Sequence, residues 1–313
     1  MPTTQRFPDW IRRPWPGAGA FDEVKALLDG LDLHTVCQSA HCPNMAECWG
    51  RGTATLMVLG NTCTRHCTYC AVHSGHPGGT TDLDEPAKVA EAVRRLGLNH
   101  MVITSVTRDD LPDQGAGHIA DVVRAVKAVS PDTSIEVLVQ DFNGDRACIE
   151  TVLAAQPEVF SHNIETVARL FPAMRDRRFT YAGSLDVLRM AAAADSPAIV
   201  KSAFMLGCGE TDDDVRATLE DLYAAGVQAV SMGQYLQPTA KHRGVAAYVR
   251  PEKFAEYEQW ARDMGFAFAV AGPFVRSSYR SEAVLEAPAI QAARTQKNAT
   301  PPRPRKERDN HAC

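Results

Sequence analysis

"TLMVLGNTCTRHCTYC", residues 55–70, runs from an apolar, β-like segment through Gly60 straight into three cysteines spaced C-x3-C-x2-C. The apolar half reads as a buried strand. Six more strand-like segments follow: HMVITSV (100–106), SIEVLV (134–139), EVFSH (158–162), AIVKSAFML (198–206), QAVSMGQY (228–235) and FAFAVAG (266–272). Helix-like segments stand between them at 85–97, 117–129, 145–155, 183–194, 211–226 and 251–265. Several open on Pro or a Thr cap and close on Gly. Such alternation predicts parallel strands with right-handed crossovers, as a whole or partial β/α barrel or an open doubly wound sheet. In β/α barrels the chemistry sits in the loops after the strands' C-terminal ends. Cys63, Cys67 and Cys70 fall in such a loop.

The chain has 313 residues and nine cysteines, six of them between Cys37 and Cys70. That length suits one large domain or two small ones and buries a core without covalent staples. Hydrophobic content of 45% and charged content of 23% are ordinary for a globular protein. A net charge of −5 and a pI near 6.1 give no reason to expect nucleic-acid binding. The first residues, MPTTQRFPDWIRRPWPGAGA, hold no apolar run fit for a signal-peptide core. No stretch approaches the roughly 18–20 apolar residues of a membrane span. These features predict a cytoplasmic protein with no membrane partner. Thiols stay reduced there, so clustered cysteines favour metal binding or thiol chemistry over a disulfide framework.

Three close thiolates suit a compact metal centre. Zinc usually takes ligand pairs from two separated segments, and His66 or His73 is placed to complete its four. An iron–sulfur cluster held by three cysteines leaves one iron open to a substrate or cofactor. Spacing alone leaves zinc, a cluster and metal-free thiol chemistry open. Another triplet, Cys37, Cys42 and Cys48, lies upstream as C-x4-C-x5-C. Segments 1–54 and 286–313 fall outside the alternating pattern, the first irregular, the second Pro-rich and charged.

C-x3-C-x2-C with Tyr69 before the last cysteine resembles the radical S-adenosylmethionine superfamily. With CQSAHCPNMAECW (37–49), HNIET (162–166), GQYLQPT (233–239) and GPFVRSSYR (272–280), roughly residues 30–282 resemble the lipoyl synthase family. That resemblance implies a partial (β/α)6-type TIM barrel over 55–285. It also implies a cluster-binding N-terminal extension over 1–54 and a disordered tail over 286–313. Cys63, Cys67 and Cys70 would hold a [4Fe–4S] cluster whose open iron chelates S-adenosylmethionine. One electron then yields a 5′-deoxyadenosyl radical, which is needed because no side-chain base can deprotonate an alkane carbon. Cys37, Cys42 and Cys48 would hold an auxiliary [4Fe–4S] cluster with Ser278 as fourth ligand, Ser277 being the alternative register. An alkoxide oxygen matches iron less well than thiolate, so that iron should be easier to lose as the cluster gives up sulfur.

The implied reaction inserts sulfur at C6 and C8 of an octanoyl group on a carrier-domain lysine. Carriers would be 2-oxoacid dehydrogenase E2 subunits and the glycine cleavage H protein. A ferredoxin or flavodoxin would supply electrons, and a scaffold protein would rebuild the cluster. Tyr69, Asn163, Glu165 and Arg175 are the cofactor-binding candidates. Read without the family, RSS is a polar loop and HNIET a helix cap. A biotin-synthase-like enzyme acting on a free small molecule and a non-catalytic cluster protein are the rival readings.

Overall fold

Seven apolar segments become strands, because residues rich in Val, Ile, Leu and Met can be buried on both faces of a parallel sheet. They are β1 Thr55–Val58, β2 His100–Ser105, β3 Ser134–Leu138, β4 Val159–Ser161, β5 Ile199–Leu206, β6 Ala229–Gln234 and β7 Phe268–Gly272. The structure, a computed structural model, describes residues 7–12, 19–40, 42–50 and 55–292. Neighbours pair in parallel and in chain order from β1 to β7. Six helices alternate with them: α1 Glu85–Leu96, α2 Ala116–Val129, α3 Arg146–Ala154, α4 Tyr181–Ala193, α5 Asp212–Ala224 and α6 Pro251–Met264. Their ends follow the chemistry read from the sequence. Thr211 and Asp214 form a reciprocal capping box on α5, and Gly97 and Gly265 close α1 and α6 at φ 59° and 100°.

Chain-order pairing excludes the doubly wound alternative, in which the first strand lies inside the sheet. Here β1 is followed on its outer side only by His34–Thr35, paired antiparallel through His34 with Met57 and Thr35 with Leu56. Among the described residues β7 does not pair with β1, so the barrel is partial. It is nevertheless strongly curved. Met57 of β1 and Ser231 of β6 line one cavity of about 590 Å³. On a flat sheet, five strand spacings would hold them about 24 Å apart.

The N-terminal extension is more regular than expected. Gly19–Gly30 is a helix with Val24 and Leu28 buried, and Phe21 stacks on Trp49 at 4.8 Å. Apolar residues at 21, 24, 28 and 31 carry the helical period. The far end needs correction too. Residues 286–292, expected to begin a disordered tail, include a helical turn at 288–292. Val284 and Ile290 are fully buried against Val159, Ile199 and Ala229, the first residues of β4, β5 and β6. This segment is ordered because its apolar side chains cover the barrel's bottom. The charged run beyond it and Cys313 lie outside the described residues.

Between β7 and that plug, residues 273–281 pass close against β6. A Cβ on Gly233 would lie 2.0 Å from the Val275 carbonyl oxygen. Gly233→Ala is therefore expected to destabilise the fold by about 1–3 kcal/mol, the usual cost of overpacking. A fall in the thermal unfolding midpoint of the metal-free protein checks it.

Candidate metal and cofactor centre

Leu59 and Gly60 take left-handed φ values of 67° and 83°, which turns the chain off β1 into the cysteine loop. Backbone bonds then tie that loop to three neighbouring loops. Thr64 N–H donates to Thr107 O at 3.0 Å and Thr68 N–H to Met174 O at 2.8 Å, while Arg243 N–H donates to Thr68 O at 3.0 Å. His242 Nε2 lies 3.0 Å from Cys70 O. The sulfurs receive bonds as well, from Arg65 N–H to Cys63 Sγ and from Asp176 N–H to Cys67 Sγ, both at 3.4 Å.

Arg65, inside the C-x3-C spacing, is completely buried at its side chain. It pairs with Asp109 and Asp141 at 2.9 Å each, and its guanidinium sits 3.9 Å from the Phe179 ring centroid. Arg175 stacks on the same ring at 3.7 Å. Its Nη1 lies 3.3 Å from Asn163 O and 4.0 Å from Glu165 Oε1, and its Nε is buried with no partner among the described residues. Glu165 itself holds a left-handed φ of 69°, a strained backbone of the kind found at ligand sites. Asn163 Nδ2 donates to Glu165 Oε1 at 3.2 Å. Burial raises the Glu165 carboxyl, and Arg175 and hydrogen bonds from Asn163 and Tyr69 pull against it. Burial likewise holds the Tyr69 phenol well above its ordinary range. His162 Nδ1 donates to Val139 O at 3.0 Å, and burial, then the Arg175 charge, pushes its pKa down to about 4. It stays neutral at physiological pH.

The first triplet in chain order, Cys37, Cys42 and Cys48, draws on short helical segments. Thr35 caps the single turn Val36–Ser39 that carries Cys37, and Cys48 rides on the helix Met45–Gly50. Asn44 Nδ2 donates to Phe274 O at 2.7 Å, and Tyr279 Oη donates to Glu47 Oε1 at 2.9 Å. These bonds dock the first-triplet loop onto the distant GPFVRSSYR loop. Cys37, Cys42, Cys63, Cys67 and Cys70 line the shared cavity, as do Tyr69, Asn163, Glu165, Arg175, Ser277 and Ser278. Cys48 does not reach its wall, although its N–H donates to Asn44 O at 2.9 Å in the same loop. The two serines differ. Ser277 Oγ donates to Asn163 Oδ1 at 3.1 Å, whereas the Ser278 hydroxyl takes no partner among the described residues.

These donors fit iron–sulfur chemistry better than the alternatives. All eight described cysteines are free thiols. Burial pushes the Cys70 thiol up to about 12 and, with Cys42 nearby, the Cys37 thiol up to about 11. A nucleophilic cysteine needs the opposite shift, while a bound metal deprotonates a thiol outright. Among the described residues, no three His, Cys, Asp or Glu side chains converge as ligands of a single metal ion. Zinc would draw sulfurs to about 2.3 Å of one point, whereas cluster thiolates each bind a different iron and stand farther apart. His66 turns its Nδ1 to Ser74 Oγ at 3.1 Å, and His73 is exposed.

Residues 57–222 match the family model described as the Radical SAM superfamily. The chain is similar to the lipoyl synthase of Thermus thermophilus, 50% identical over 284 residues, covering 91% of this chain and 88% of that one. It is 48% identical over 280 residues to the mitochondrial lipoyl synthase of Vitis vinifera, covering 88% of this chain and 71% of that one. Among solved structures it resembles methylornithine synthase, with a TM-score of 0.50 and 11% identity over 87% of this chain and 92% of that one. At that identity the likeness concerns the fold alone.

Proposed function

This chain belongs to the lipoyl synthase family of radical S-adenosylmethionine enzymes, and from that premise we propose the role of each cysteine triplet. Cys63, Cys67 and Cys70 hold the [4Fe–4S] cluster that works with S-adenosylmethionine. Cys37, Cys42, Cys48 and Ser278 hold a second, which gives up sulfur. The enzyme inserts two sulfur atoms, at C6 and C8, into a protein-bound octanoyl-lysine. When bound, the cluster at Cys63, Cys67 and Cys70 and S-adenosylmethionine would supply the one-electron chemistry that breaks an unactivated C–H bond.

The protein's own part is to bind, orient and exclude water. Arg175, whose Nε is buried with no partner among the described residues, would hold the carboxylate of the methionyl group. Glu165, held against it, would accept a hydrogen bond from the amino group. Asn163 and the protonated Tyr69 phenol keep the Glu165 carboxylate in place. Met57, Val106, Phe204 and Met205 give the cavity an apolar wall suited to an octanoyl chain. Arg175→Met is expected to weaken S-adenosylmethionine binding by about 1.5–3 kcal/mol, the usual worth of a charged hydrogen bond. Equilibrium binding checks it, and an unchanged Kd would confine Arg175 to a structural role.

One observation carries the division of labour. Asn44 and Glu47, from the first-triplet loop, are hydrogen-bonded to the loop that bears Ser278, and both loops face the cavity reached by the second triplet. This supports one shared chamber in which hydrogen removal and sulfur delivery meet on a single acyl chain. Octanoylated E2 and H-protein carrier domains are the substrates. A ferredoxin or flavodoxin is the electron donor, and a scaffold protein rebuilds the auxiliary cluster. The reading places the enzyme in the cytoplasm, and no helix of the described residues is long and apolar enough to cross a membrane. The test compares an octanoylated carrier domain with free octanoate under reducing conditions. Sulfur insertion confined to the carrier supports the reading, and equal use of the free acid would overturn it.

A further inference from the structure

Lys201 stands in the middle of the apolar strand AIVKSAFML, and its side chain is 1% exposed. Two strands away, on β3, Glu136 is 0% exposed. Replacing such a buried pair by apolar residues is often neutral or stabilising. The pair therefore invites an explanation beyond stability. An ammonium has three hydrogens to place. Two go to the Glu136 carboxylate, at 3.0 and 2.8 Å, and the third goes to the Ser277 carbonyl oxygen at 2.7 Å. Ser161 Oγ donates to Glu136 Oε1 at 2.7 Å, which anchors the carboxylate in turn.

From this geometry we infer that Lys201 is the positioning residue for Ser278. The Ser277 carbonyl belongs to the peptide unit that joins Ser277 to Ser278. That unit is planar, so fixing the carbonyl fixes the plane from which Ser278 sets out. The rest of the loop is anchored on either side. Asn44 holds the Phe274 carbonyl, Asn163 accepts from the Ser277 hydroxyl, and His100 Nε2 lies 2.8 Å from Ser281 Oγ. Among these anchors, Lys201 acts on the peptide unit next to the Ser278 hydroxyl, which takes no partner among the described residues. Its charge comes from inside the barrel, so the loop is gripped by β5 while its hydroxyl faces the cavity.

The inference rests on the reading that Ser278 is a cluster ligand, and the experiment separates the two. Full-length chain is reconstituted anaerobically as wild type, as Ser278→Ala, as Lys201→Met and as the double variant Lys201→Met/Glu136→Gln. Mössbauer spectra report the oxygen-ligated iron, a ferrous chelator times iron release, and thermal unfolding reports the metal-free fold. Lys201→Met alone leaves Glu136 buried and unpaired, so its melting point should fall. The double variant buries no net charge and should melt nearer the wild type. If Lys201 positions Ser278, the double variant loses the oxygen-ligated signature as Ser278→Ala does. It also releases iron about tenfold faster than wild type, as loss of one charged hydrogen bond implies. A wild-type spectrum and release rate in the double variant, with Ser278→Ala altered, would overturn the role of Lys201 while leaving the ligand intact. A wild-type spectrum in Ser278→Ala would overturn the ligand assignment and the inference together.

Discussion

With Cys63, Cys67 and Cys70 all replaced by Ala, the reconstituted chain is expected to keep about four irons, one [4Fe–4S] cluster's content, and to form no 5′-deoxyadenosine. The loss should reach at least ~10⁶-fold, the low end of what enzymes supply over the uncatalysed reaction. Among the described residues nothing else near the loop is placed to take over, since His66 is turned to Ser74 and His73 is exposed. The fold should survive, because the loop is held by Thr64, Thr68 and Arg65 through bonds that do not use the sulfurs. Product chromatography, iron counting and a thermal melt read the three parts separately. Deoxyadenosine above the reagent background would contradict the assignment of this triplet.

The second large effect is of the opposite kind. With Cys37, Cys42 and Cys48 replaced by Ala, the chain should again hold about four irons, yet still cleave S-adenosylmethionine. No sulfur should reach the octanoyl chain. Ser278 is the finer probe of the same site. Ser278→Ala leaves one iron without its protein ligand, and Ser278→Cys substitutes a softer, better matched one. Both changes should lower the yield of doubly sulfur-inserted product, the first through early cluster loss and the second through slow release. Mass spectrometry of the carrier domain counts the sulfurs added. Wild-type yield from both variants would show that the serine takes no part in delivery.

Much of this architecture was legible in the chain. Seven apolar segments, six helices with ordinary caps and a cysteine loop directly after Gly60 were enough to predict parallel β/α units, as a barrel or an open doubly wound sheet, and the family resemblance chose the partial barrel. What stayed hidden was hidden for physical reasons. The helix Gly19–Gly30 has a readable period in Phe21, Val24 and Leu28, but it lies among Pro- and Gly-rich residues that mask it. The plug around Val284 and Ile290 looks like a tail because its few apolar residues are scattered. Nothing in CTRHC signals that the Arg65 side chain is wholly buried, since its partners Asp109 and Asp141 lie on other loops. Lys201 and Glu136 did leave a trace. Each is a lone charge in an otherwise apolar strand, and a charge in such a setting calls for a partner. The motif favours Ser278 over Ser277, and the bond of Ser277 Oγ to Asn163 Oδ1 is consistent with that register.

The most direct test of two clusters with separate duties is Mössbauer spectroscopy with iron and zinc counting on the anaerobically reconstituted full-length protein. Two clusters of the [4Fe–4S] type, about eight irons per chain, with one iron bearing an oxygen ligand that disappears in Ser278→Ala, is the predicted result. A single cluster, or a zinc ion in place of either one, would contradict it.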